Sequence, residues 1–214
     1  MTIRTPVIAL MLLALSACGT AIEDDSAIGQ SVAALRRDAP DFVPRFITLL
    51  QAEAPVLQVG FVDLGTNGNL LLERQDGDFA YWLSPDGGQI VLQSGMLHST
   101  RGLGEGLLAS DLSEPLALVL GLRSGWSDRL HTYLDGEDFA ITRTYRCRID
   151  YEGPRRIDLL GRPVDTVLMR ESCRSLDQAF VNVYWVVPSS RTIVLSRQWA
   201  GPEIGPVSTR VVPR

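Results

Sequence analysis

The sequence predicts a mainly β fold, a β-rich α+β chain built on antiparallel sheet, from three observations. Between Val56 and Gln93, short runs of strand-forming residues alternate with turn residues. Gly65-Thr66-Asn67-Gly68 carries the Asn-Gly hairpin signal, and Pro85-Asp86-Gly87-Gly88 marks a second reversal. Near the C-terminus, Phe180 to Val187 is dense in β-branched and aromatic residues, and Pro188-Ser189-Ser190 turns it into a second such run, Thr192 to Trp199. Nowhere do strands alternate with helical segments in the way a parallel sheet requires.

The first residues are not part of that fold. Arg4 precedes an uncharged apolar run, Val7 to Leu15, which ends in Leu15-Ser16-Ala17-Cys18. A membrane-spanning helix needs about 20 apolar residues, so the run reads as a removable signal. Leu, two small residues and Cys is the pattern at which lipoprotein-processing enzymes attach a diacylglyceryl group to the thiol, cut before it and acylate the new amino terminus. The alternative is an ordinary secretory signal with a chance cysteine. Several acyl chains (palmitate-like in length) anchor firmly, because each buried CH₂ contributes about 0.8 kcal/mol. Gly19 stands where an aspartate would favour the inner membrane, which directs the expectation to the outer membrane. The expected organisation is a signal peptide over 1–17, a lipidated tether over 18–26 containing Glu23, Asp24 and Asp25, and a single β-rich periplasmic domain over 27–214.

Cleavage leaves 214 − 17 = 197 residues, enough for one sizeable core. It also removes Arg4 and takes the net charge from −5 to −6. An acidic chain of this kind argues against nucleic acid as a partner. Every basic residue is Arg; the chain has no Lys. Of three cysteines, Cys18 is taken by lipid. Cys147 and Cys173 remain, an even pair on strand-like stretches in an oxidising compartment, and they point to a structural disulfide. Closing that loop of 26 residues would stabilise the fold by roughly 3 kcal/mol. A metal pair or a catalytic thiol is the alternative; neither gains support from His98 and His131, which show no ligand spacing. No metal and no cofactor is expected.

Along the domain, Ser26 to Arg37 reads as a short amphipathic helix through Ile28, Val32 and Leu35, and Asp41 to Gln51 as a second through Phe42, Phe46, Leu49 and Leu50. Val56–Asp63, Leu70–Arg74, Phe79–Leu83 and Ile90–Gln93 read as strands of a meander. Gly95 to Asp111 breaks the rhythm. Gly102, Gly104 and Gly106 form neither a dinucleotide fingerprint nor a P-loop. They mark a bulge or chain reversal, or else a loop that turns Arg101 and backbone N–H groups toward an anionic or hydroxyl-rich ligand. Leu112 to Leu122 reads as a short packed helix, and Trp126 to Leu134 as a helical turn or irregular segment. Phe139–Cys147, Arg156–Leu160 and Val164–Cys173 read as further strands, and Val207–Val212 as an edge strand.

Catalysis has little footing. There is no Gly-x-Ser-x-Gly elbow, neither His is framed by Ser and Asp, and with 25 acidic residues some carboxylate pair can always be nominated. No catalytic residue is assigned. Binding has more. Asn182, Tyr184 and Trp185 lie on one strand, and Arg197, Gln198 and Trp199 on the next. Aromatic faces stack on sugars, amides bond hydroxyls, and Arg takes a carboxylate in a fork. The same residue types anchor protein interfaces, and they serve equally as core.

Asn182-Val183-Tyr184-Trp185, then Ser196-Arg197-Gln198-Trp199 with Gly201-Pro202, resembles the closing signature of the group 4 capsule polysaccharide lipoprotein family. Thr100-Arg101-Gly102-Leu103-Gly104 is similar to its central glycine-rich motif, although Glu105-Gly106 replaces a more direct run toward an Asp-Leu pair. The lipidation motif, the length and the placement of Cys147 and Cys173 agree. The resemblance implies a barrel-like or sandwich-like periplasmic domain tethered to the outer membrane. It further implies a part in capsule or exopolysaccharide production and export beside other polysaccharide-export envelope proteins, with an acidic polysaccharide as a further candidate partner. It carries over no catalytic residue.

Overall fold

The computed structural model describes residues 43–104, 106–134, 137 and 139–213. The expected signal, the Cys18 lipid site, the tether and the helix over Ser26–Arg37 lie outside the described residues.

Twelve strands form one antiparallel sheet in the order β5-β4-β3-β2-β1-β12-β11-β10-β9-β8-β7-β6. The strands are β1 (Val56–Phe61), β2 (Thr66–Asp76), β3 (Phe79–Leu83), β4 (Gln89–Gln93), β5 (Met96–Arg101), β6 (Leu107–Asp111), β7 (Gly125–Leu134), β8 (Ala140–Leu159), β9 (Arg162–Arg174), β10 (Ala179–Val187), β11 (Thr192–Trp199) and β12 (Pro206–Val211). Every strand but the two at the edges pairs with its sequence neighbours or, for β1 and β12, with each other. The sheet curls into a nearly closed barrel whose seam lies between β5 and β6. Side chains bridge that seam. Thr100 Oγ1 accepts from the Leu107 backbone N–H at 2.9 Å, and His98 donates Nδ1–H to the Ser110 carbonyl at 3.0 Å.

Period-two alternation decides which face each residue takes. On β7, Ser127, Arg129, His131 and Tyr133 are buried while Trp126 and Leu130 are exposed. Leu57, Val59, Leu70, Ile90, Leu97 and Val207 build one part of the interior. Ile149, Met169, Tyr184 and Val186 build another, and α2 (Ser113–Leu120) packs Val119 upon it. Helix α1 (Pro44–Gln51) sets Phe46 against Leu71 and Leu83.

The fold is mainly β, with two short helices among the described residues. Several local expectations differ. Trp126–Leu134 is not helical but lies within the ten-residue strand β7, held by ladder bonds to β8 along its whole length. Gly95–Asp111 contains two strands, β5 and β6, with Gly102, Gly104 and Gly106 confined to their connection and Gly95 in the turn before β5. Arg156–Leu160 is no separate strand: β8 runs twenty residues to Leu159 and pairs with β9 past an irregularity at Tyr151/Pro154. The final strand is not at an edge, because β12 lies between β1 and β11 and joins the two ends of the chain's meander.

Candidate functional site

The inward faces of β7, β9 and β10 bring a fully buried ion pair together. Arg129 Nη1 donates to Glu171 Oε2 at 2.6 Å, and neither side chain touches solvent. The same oxygen accepts from Asn182 Nδ2 at 2.8 Å and from the Tyr184 hydroxyl at 2.7 Å. Burial opposes the Arg129 charge, but Glu171 and Tyr184 outweigh it and hold its pKa above the ordinary arginine value. Burial, and then Glu171, push the Tyr184 phenol well above its usual range. Arg129 Nε donates to His131 Nε2 at 2.8 Å, which leaves the His131 proton on Nδ1, facing the Tyr133 hydroxyl at 2.7 Å. Burial and the neighbouring guanidinium lower the His131 pKa well below 6.5, so the ring is neutral. Burial likewise raises Tyr133 and Tyr145. Tyr145 in turn donates to Gln178. Arg129 Nη2, Glu171 Oε1 and Ser127 Oγ have no partner among the described residues.

Beside this network, Cys147 and Cys173 face each other across β8 and β9 and are joined by a disulfide. Glu171 and the two sulfurs bring ligand-type atoms within 4.8 Å of one another, but both sulfurs are spent in the bond. Histidine, carboxylate and phenols are therefore locked to one another, as members of a packed core are.

The structure divides the predicted binding residues. Asn182, Tyr184 and Gln198 point inward and are buried, because they occupy the even-numbered, core-facing positions of their strands. Gln198 spans the interior: its Oε1 accepts from the Leu97 N–H at 2.7 Å and its Nε2 donates to the Gly95 carbonyl at 3.0 Å. It thereby ties β11 to β5, a strand far from it in the sheet. Trp199, at the end of β11, stacks on Phe180 with ring centroids 5.7 Å apart and packs against the disulfide cluster. Trp185 is half-buried on the outer face, and Arg197 is exposed there. Arg101 is exposed at the β5–β6 connection, remote in the sheet order from β10 and β11. Gly102 and Gly104 both take positive φ, 68° and 77°, which reverses the chain at the seam. A Cβ on Gly102 would also lie 3.4 Å from the Gly88 Cα. Both glycines thus answer a backbone requirement.

On the outer face, Arg197 has company the sequence reading missed. Ser208 pairs with Arg197 and Gly60, and Arg210 pairs with Gln58 and Leu195. Asn69 and Asn67 follow on β2, opposite Gln58 and Gly60. Gln58, Asn67, Asn69, Ser208 and Arg210 line a groove of about 410 Å³ whose floor lacks a side chain at Gly60, and Arg197 stands next to it, paired with Ser208. The signal was present as Gln58-x-Gly60, Asn67-x-Asn69 and Ser208-x-Arg210, polar residues at every second position. It is legible only once Asn67 is assigned to a strand instead of a turn.

Comparison with known proteins agrees with the fold. The profile of the group 4 capsule polysaccharide lipoprotein family (gfcB, YjbF) matches residues 38–212. The crystal structure of the hypothetical lipoprotein YmcC from Escherichia coli K12 superposes with a TM-score of 0.67 at 19% identity, covering 90% of this chain and 98% of that one. No curated protein matches the chain.

Proposed function

Because the chain belongs to the group 4 capsule polysaccharide lipoprotein family, we propose that it is a non-catalytic outer-membrane lipoprotein that assists capsule or exopolysaccharide production and export. It is anchored through acylated Cys18, with residues 27–214 facing the periplasm. It works by contact, docking on export machinery, touching the glycan, or both. Membership of a lipoprotein family carries association with the cell envelope. Among the described residues no helix is long and apolar enough to cross a membrane.

The observation that carries the reading is the filled interior. Arg129, Glu171, Tyr145, Tyr184, Met169 and Ile149 occupy it with essentially no solvent exposure. Contacts with other envelope components fall to the outer surface. Docking has a specific candidate there. Trp126 is 57% exposed on β7, and the Arg146 and Arg148 guanidinium carbons lie 5.5 and 5.6 Å from its ring centroid. Trp and Arg are the residue types that dominate interface energetics. This patch favours, as the second reading, a structural or assembly lipoprotein without glycan contact.

The test is affinity capture from detergent-solubilised envelope with the lipidated protein as bait, analysing bound protein and bound glycan. An outer-membrane export component that is lost with Trp126→Ala supports docking. Acidic polysaccharide in the eluate supports glycan contact. Recovery of neither removes the proposed mechanism. Cys18→Ser should move the protein out of the membrane fraction; unchanged membrane retention would overturn the anchor.

A further inference from the structure

The outer face of β2, β1, β12 and β11 carries an arrangement that the core does not explain. Arg197 and Arg210 project from adjacent strands, two register positions apart, with Ser208 and Leu195 as their direct cross-strand neighbours. Diagonal pairs of this kind lie about 7–8 Å apart, so the two guanidinium groups reinforce one positive field. Neither makes an ion pair or a side-chain hydrogen bond with any described residue, in a chain whose net charge is −5. Arginines on β8 and β9 behave differently: Arg170 bonds Glu152, Arg148 bonds Asp150, Arg146 bonds Asp128 and Arg156 bonds Asp165. Two adjacent like charges left unmatched on a rigid sheet are a standing electrostatic cost that an anion relieves.

The groove beside them is polar and without bulk. Gln58, Asn67, Asn69 and Ser208 supply donors and acceptors on the same face, and Gly60 leaves the floor to the backbone. Four strands at about 4.8 Å spacing make it about 14 Å across, wider than a single inorganic anion. None of the described residues that line it is aromatic, which sets it apart from the protein-docking chemistry of Trp126. On its other side, Arg197 borders a second depression of about 470 Å³, lined by Val181, Val183, Trp199 and Pro206 together with Arg170, which is paired with Glu152. A polymer carrying a carboxylate at Arg197 and Arg210 would find hydroxyl-bonding groups on one flank and apolar surface for sugar C–H groups on the other.

We infer that this groove is a binding site for an acidic polysaccharide, with Arg197 and Arg210 holding a sugar carboxylate and the Gln58, Asn67, Asn69 and Ser208 side chains bonding its hydroxyls. The inference rests on the reading of the chain as a capsule polysaccharide lipoprotein and adds to it the place on the barrel where an acidic glycan is held and the residues that hold it.

The full lipidated protein in detergent is titrated with a galacturonate oligosaccharide and with a neutral dextran oligosaccharide of equal length. Saturable binding of the galacturonate and none of the dextran is expected. Arg197→Gln with Arg210→Gln should weaken it at least about tenfold while the unfolding midpoint stays put. Gly60→Val, which fills the floor and displaces the Ser208 hydroxyl that a Cβ there would meet at 2.7 Å but leaves the charges alone, should weaken it as well, and Trp126→Ala should leave it unchanged. Equal binding of both sugars, no binding of galacturonate, or full binding by the folded double-arginine variant would each overturn the site. Cells lacking the protein separate this failure from that of the underlying reading. If the wild-type chain restores surface polysaccharide and the double variant does so fully, the groove falls and the lipoprotein role stands. If the wild-type chain restores none, the role itself falls.

Discussion

Arg129 and Arg197 sit on opposite faces of the same sheet, and their surroundings are opposite too. Inside, Arg129 meets Glu171, Tyr184 and His131 at fixed hydrogen-bond distances, and Glu171 is itself bonded by Asn182 and Tyr184. Outside, Arg197 is exposed and Arg210 is half-buried at the edge of a polar groove, and neither has a partner among the described residues. Desolvation explains the contrast. A guanidinium sealed from water must be answered by the fold itself, because an uncompensated buried charge costs several kcal/mol. A guanidinium in water need not be answered and stays available to a ligand. Burial of a polar residue in this barrel therefore marks it as architecture, whereas exposure leaves it free to meet a ligand.

The comparison is broken most forcefully from the inside. Glu171→Ala leaves the Arg129 charge buried and unpaired, and should destabilise the protein by about 3–5 kcal/mol in denaturant unfolding. Replacing both members by apolar residues of similar volume should recover much of that loss. A single variant as stable as the wild type would refute the claim that the pair is coupled.

A smaller effect comes from His131. Its folded pKa is lowered by burial and then by Arg129, while the unfolded chain titrates near 6.5. The unfolded state therefore binds the extra proton first. Stability should be complete above about pH 6.5 and fall below it, by at most about 1.4 kcal/mol per pH unit. Carboxylates such as Asp86 and Asp111, whose pKa values are lowered by Ser84 and Ser113 respectively, lose their contributions at lower pH and do not enter this window. Unfolding midpoints between about pH 7.5 and about pH 5 should show the slope in the wild type and lose it in His131→Gln. A wild-type midpoint that stays flat across the window would mean that the ring charges at little cost inside the barrel.

The smallest effect belongs to the exposed pair between Arg156 and Asp165, which meet at 2.8 Å in open solvent on the long β8–β9 hairpin. Arg156→Gln should leave the unfolding midpoint unchanged within error, because solvent screens such pairs. A clear loss there would erase the distinction between inside and outside on which the contrast rests.

Much of this architecture is legible in one dimension. Turn residues and β-branched runs mark the strands from Val56 to Gln93 and the hairpin from Phe180 to Trp199, since local backbone preference acts over a few residues, although the Asn67-Gly68 pair expected to turn the chain lies within β2. The even count of cysteines left after Cys18 pointed to the pairing now present between Cys147 and Cys173. The β7 segment was not legible. Gly125-Trp126-Ser127-Asp128-Arg129-Leu130-His131-Thr132 buries Ser127, Arg129 and His131 and leaves Trp126 and Leu130 outside with Asp128 and Thr132, which erases the apolar alternation that identifies a strand. That arrangement is possible because Glu171, from forty-two residues away, pairs with the Arg129 charge.

The residues expected from the sequence to bind show the same division. Composition and spacing alone determined that Asn182, Tyr184, Gln198 and Arg197 belong to adjacent strands. Register and closure decided that the first three face the interior and the last faces out. They also decided that Arg210, Gln58 and Asn69, drawn from both ends of the domain, join Arg197 where β1 meets β12. Side-chain alternation is a local property and can be read along a strand. Which side of the sheet becomes the inside is settled only when the twelve strands close on one another and the buried charges find their partners.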